Sequence, residues 1–134
     1  MTKLNVIEGI GEVYMEKLEA AGIGSVEELL DFCRTKKGRT ELAEKAEISE
    51  KLILTWANHA DLFRIKGVQS LYADLLEEAG VDTVPELATR NAGNLFKAIM
   101  DINEETKLVR KPPSIKQVED WIAQAKELPR MLEY

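Results

Sequence analysis

The chain has 134 residues, one cysteine, one histidine and a formal net charge of −6. That length suits one ordinary domain or two small halves sharing a core, and a lone cysteine excludes an intramolecular disulfide. Residues 1–64 carry 9 basic and 12 acidic side chains and residues 65–134 carry the same, so neither half offers a general grip on a polyanion. No stretch approaches the roughly 18 apolar residues of a membrane span. The start carries no apolar run of the secretory type. A cytoplasmic location is expected, with no membrane partner.

In chain order, the spacing predicts a helix from about Glu12 to Ala21, with Val13, Tyr14, Leu18 and Ala21 on one face. Gly22 stands where a helix-ending glycine belongs. Ser25-Val26-Glu27-Glu28 reads as a capping box opening a second helix toward Phe32. Lys36-Lys37-Gly38-Arg39 reads as a break, Thr40–Glu47 as a short helix, and Ser49 as the cap of a longer helix through Ala60. Further on, Thr83-Val84-Pro85-Glu86 is expected to cap another helix as Ser25 does, with Pro85 in its first turn; 95–102 forms a further one, and 107–113 a loop ending in Pro112-Pro113. Ser114-Ile115-Lys116-Gln117 is a second capping box. Alternating runs and Asn-Gly or Asp-Gly turns are missing, so the β signal is weak. The expected fold is all-α, about eight helices in two repeated halves, 1–64 and 65–134, forming one compact domain.

The repeat is visible residue by residue. Residues 7–29 return at 65–87 without a gap at an offset of 58, with 10 of 23 positions identical. Gly9/Gly67, Tyr14/Tyr72, Leu18/Leu76, Gly22/Gly80 and Leu29/Leu87 are among them. Later, Ser49, Trp56 and Ala60 match Ser114, Trp121 and Ala125 at an offset of 65, which places a seven-residue insertion between 91 and 113.

Ile7-Glu8-Gly9-Ile10-Gly11 running into a helix, then Leu18, Ala21-Gly22-Ile23 and Ser25 through Leu29, resembles the helix-hairpin-helix motif. Duplicated, with the Trp-bearing helices, the chain further resembles an uncharacterised bacterial family of tandem helix-hairpin-helix proteins. The resemblance implies a DNA-backbone binder without sequence selectivity, the use made of the motif in repair enzymes, polymerases, ligases and recombinases. It equally allows protein contacts, to which the motif is also put. Physically, glycines clear side chains from the outer edge of the bend. Backbone N–H groups there and at the next helix start, with the helix dipole, suit a phosphate oxygen and position it without reading bases.

The two copies differ. Gly9, Ile10 and Gly11 form the first hairpin, but Glu8 and Glu12 flank it. The second has Arg64 and Lys66 before Gly67 and no acid from Ile65 to Ala73, while Gln69 replaces the second glycine. Hairpin two, with Lys66, Gly67, Gln69 and Ser70 nearest the ligand and Arg64 behind, is therefore the favoured anion site. Arg34, Lys36, Lys37 and Arg39 form the densest basic cluster and are a candidate auxiliary contact; an exposed connector is the plainer reading. Lys107, Arg110 and Lys111 form a second basic loop.

Hairpin two is preceded by the helix at 49–62, whereas only six residues precede Ile7. The helix at 114–127 is accordingly expected to pack beside hairpin one and close the halves together. The oligomeric expectation is a monomer, or a dimer exchanging that helix.

Trp56 and Trp121 sit on apolar helix faces and read as core. His59 has no Cys or His neighbour in sequence, so neither a metal site nor a cofactor is expected. Cys33 reads as a small apolar residue. No nucleotide loop or catalytic constellation is present, so the expected function is a non-catalytic binding module, with DNA as its partner or, alternatively, another protein.

Overall fold

The computed structural model describes residues 2–133, the Ser70 side chain excepted. Among the described residues there are a 3-10 turn, Leu4–Val6, and eight α-helices, with no strand. These are α1 (Glu12–Ala20), α2 (Val26–Phe32), α3 (Lys36–Ala46), α4 (Glu50–Leu62), α5 (Ser70–Glu78), α6 (Val84–Ala88), α7 (Ala92–Thr106) and α8 (Ile115–Glu127). The protein is all-α. Its chain forms two compact units, one of Met1–Asp61 with Met131–Tyr134, the other of Leu62–Arg130.

In the first unit, α1 ends where the amide of Ile23 donates to the Leu18 carbonyl at 2.9 Å and that of Gly22 to Glu19 at 3.0 Å. Leu18 and Ile23 are both buried, which gives this helix stop its usual apolar clasp. Ser25 then caps α2, its Oγ accepting from the Glu28 amide at 3.1 Å, while Glu28 accepts from the Gly24 amide at 3.1 Å. The N-terminal segment is pinned to the same helix start: Glu27 accepts from the Thr2 amide at 2.8 Å and hydroxyl at 2.7 Å. The Thr2 amide holds the Glu27 carboxyl below its ordinary range.

Residues 36–39 are not a break. They form the first turn of α3, whose cap is Thr35, Oγ1 accepting from the Gly38 amide at 3.1 Å. Thr35 three residues before Gly38 is the signal that the lysine-glycine run hides. The turn packs hard on α2: a Cβ built on Gly38 would stand 2.1 Å from the Phe32 carbonyl oxygen.

The second unit gathers one core from α5 to α8, with Leu75, Leu76, Leu87, Leu95, Ile99 and Trp121 buried in it. Helix α5 stops as α1 does, through Val81 to Leu76 at 2.8 Å and Gly80 to Glu77 at 2.9 Å. Thr83 stands at the start of α6 without capping it; the hydroxyl makes no cap bond and the residue is buried. Helix α7 extends past 95–102 at both ends, because Asn91 caps it (Oδ1 accepting from the Asn94 amide at 3.0 Å) and it runs to Lys107 in a left-handed conformation, φ 54°. The box at Ser114 forms in both directions, at 3.2 and 2.8 Å.

Helix α8 belongs to the second unit, and its Trp121 packs on hairpin two. The expectation that it completes hairpin one is thereby corrected. Hairpin one is served instead by Trp56 of α4, a later helix that contributes it within the same unit. Each unit thus supplies its own tryptophan from downstream.

Candidate nucleic-acid interface

Each hairpin is built from the same parts. Gly9 and Gly67 adopt φ of 94° and 98°, a region closed to most L-residues. Flanking bonds close the bend, Ile10 N–H to Ile7 at 3.1 Å and Val68 N–H to Ile65 at 3.2 Å. Each glycine also lies over an indole: a Cβ on Gly9 would be 3.4 Å from Trp56 Nε1, and one on Gly67 3.1 Å from Trp121 Nε1. Each tryptophan meets a tyrosine edge-on or tilted, Tyr14 at 5.1 Å and Tyr72 at 5.4 Å between ring centroids. Both tryptophans are buried, at 1 % and 2 % exposure, so they are core.

Gln69 does not spoil the second bend. Its φ of −116° and ψ of −176° are ordinary extended backbone, as are −90° and −171° at Gly11. The second glycine of the pattern is therefore dispensable to the turn. Neither helix start is capped by a side chain at Gly11 or Gln69. As at any helix start, the first amides of α1 and α5 have no intrahelical acceptor.

The predicted site residues separate into surface and scaffold. Gly9, Gly11, Lys66, Gly67 and Gln69 are exposed. Ile10 is buried at 4 %, so its side chain is core and only its backbone belongs to the hairpin. Ser70 begins α5, but its side chain lies outside the described residues. Arg64 is half-buried and tied down, Nη2 donating to the Pro129 carbonyl at 2.6 Å. Lys66 is exposed, but both of its backbone polar groups are engaged. The amide donates to Gln124 Oε1 at 2.8 Å, and the carbonyl accepts from Gln124 Nε2 at 3.1 Å.

The basic cluster divides likewise. Arg34, Lys36 and Lys37 are exposed. Arg39 is not a surface contact: it is 3 % exposed and Nη1 donates to the Cys33 carbonyl at 2.9 Å. It fastens the corner between α2 and α3 from inside. Burial pushes the neighbouring Cys33 thiol up to about 12, with the Arg39 charge pulling the other way.

Two surface features escaped the periodicity argument. Val13 and Leu71, at equivalent places beside the two hairpins, are 66 % and 46 % exposed. Val13 does not join the apolar face of α1. The Gln124 clamp likewise leaves no trace in sequence, since an amide pairing with a peptide 58 residues away has no periodic signature.

No helix among the described residues is long and apolar enough to cross a membrane. A family model matches residues 8–128, and the chain belongs to that family, DUF4332, a domain of unknown function. No solved structure matches the chain.

Proposed function

We propose that this chain is a non-catalytic, cytoplasmic binding module of tandem helix-hairpin-helix type that holds nucleic-acid backbone without reading its sequence. Hairpin two carries the reading. Its exposed Gly67, uncapped α5 start and exposed Lys66 stand together in a stretch with no acid from 62 to 73. Lys66, Gly67 and Gln69 are the leading contacts; Arg64 supports charge from behind, and Arg34, Lys36 and Lys37 form an auxiliary patch. Hairpin one contributes less, because Glu8 and Glu12 are exposed beside it and oppose a phosphate.

The test is fluorescence anisotropy with single- and double-stranded DNA across salt. Affinity should fall steeply with salt through counterion release. Lys66→Glu should abolish binding at low salt, and unchanged titration curves would remove hairpin two from the reading. Arg64→Glu is less clean, since it also breaks the bond to Pro129.

A second reading is a protein-interaction or scaffold domain. The exposed Val13 and Leu71 beside the hairpins favour it, as apolar groups gain little from a phosphate. It expects no DNA affinity at any ionic strength and recovery of a protein partner.

A further inference from the structure

Within the second unit, a chain of contacts runs from the hairpin to the loop between α7 and α8. Gly67 lies over Trp121, Trp121 meets the Tyr72 ring, and the Tyr72 hydroxyl donates to the Lys111 carbonyl at 2.9 Å. The first unit has the glycine, the tryptophan and the tyrosine, but only residues 47–49 join α3 to α4. In the second unit residues 107–114 make the equivalent connection. The added length is therefore laid beside hairpin two.

The loop is held, not merely long. Asn103 is buried and grips it through both ends of its amide: Nδ2 donates to the Val109 carbonyl at 3.1 Å and Oδ1 accepts from the Val109 amide at 3.0 Å. Leu108 and Val109 pack on the core, and the Ser114 box fixes the exit. From 106 to 118 there is no acid, and Lys107, Arg110, Lys111 and Lys116 are all exposed. None of them forms an ion pair among the described residues. The nearest carboxylate in the hairpin's hydrogen-bond network, Asp120, accepts from Gln124 Nε2 at 2.8 Å. Holding unpaired cations on an anchored loop costs self-repulsion that a bound anion relieves.

We propose that the 107–113 loop extends hairpin two into one phosphate-backbone surface, with Arg110 and Lys111 as contacts and Tyr72 as the positioning residue that sets the loop beside the bend. This rests on the nucleic-acid reading above and adds a second element to it. The contact is electrostatic and spans neighbouring phosphates of a nucleic-acid strand.

The experiment uses the full chain and a fluorescein-labelled DNA duplex of random sequence, titrated by anisotropy across salt. Arg110→Glu with Lys111→Glu should weaken binding at least tenfold at low salt and lower the log–log salt slope by about two. Both side chains are exposed and Tyr72 bonds only the Lys111 backbone, so the fold should survive; the far-ultraviolet circular dichroism and melting curve check this. Arg110→Ala with Lys111→Ala should show the same change in smaller measure. Tyr72→Phe alters no charge and should still weaken binding and shallow the slope, an effect a purely structural hydroxyl would not have on the slope. Wild-type affinity in the charge-reversed loop variant, with Lys66→Glu still damaging, overturns the loop and leaves the hairpin reading standing. No binding by the wild-type chain at the lowest salt overturns both.

Discussion

Gln124 and Lys66 form a closed pair in which one side-chain amide satisfies both backbone polar groups of one residue, at 2.8 and 3.1 Å. The pair ties α8 to the front of hairpin two. It also occupies an amide of the bend, so the proposed phosphate contact would have to draw on donors other than the Lys66 N–H.

Gln124→Ala should therefore destabilise the second unit by about 1 kcal/mol, the usual net worth of hydrogen bonds at an exposed backbone segment. Urea unfolding followed by tryptophan fluorescence reads the change. A variant as stable as the parent would mean that water replaces the clamp without loss.

The two hairpin glycines should respond unequally to alanine. Both substitutions meet the cost of a positive φ, of order 1 kcal/mol or more. At Gly67 the new methyl would also press on Trp121 at 3.1 Å, whereas at Gly9 it meets Trp56 at an ordinary 3.4 Å. Gly67→Ala should lower the melting temperature more than Gly9→Ala. Gly11 faces open space with extended backbone, so Gly11→Gln should be close to neutral.

Gly38→Ala should lose stability although alanine is the better helix former. The methyl would lie 2.1 Å from a backbone oxygen of α2, which cannot swing aside as a side-chain tip could. A loss of about 1–3 kcal/mol is expected from forced repacking, measured by thermal or denaturant unfolding.

Cys33 ties stability to alkaline pH. Its thiol ordinarily titrates near 9.0 and is pushed up to about 12 in the folded chain. Between those values the unfolded chain has lost a proton that the folded chain keeps, so stability falls as pH rises. It is fully present below about 9 and is lost on approach to 12. Cys33→Ala should flatten that decline in pH-dependent urea titrations. In the native protein the thiol should also label slowly with a thiol reagent at pH 8 and rapidly once unfolded.

Most of the helices were legible because their boundaries are written locally. Ser25, Ser49 and Ser114 sit at helix starts, and Gly22 and Gly80 at helix stops. The start of α3 was obscured because four residues with a glycine and three cations resemble a linker, while the deciding cap lies one residue earlier at Thr35. The burial of both tryptophans followed from their faces, but their partners did not. Which hairpin each one serves is a long-range choice that an equally spaced pattern does not encode. The surface of the candidate site was half legible. Glycines and charges can be counted, but the engagement of Lys66, Arg64 and Arg39 by distant or buried groups cannot.

The first unit is not one uninterrupted stretch of chain. Leu132 is 1 % exposed, the Glu133 amide donates to the Arg34 carbonyl at 2.6 Å, and residues 131–134 group with Met1–Asp61. Leu132→Asp should therefore loosen the first unit from a position remote in sequence, while the second, drawn from a single continuous segment, keeps its core.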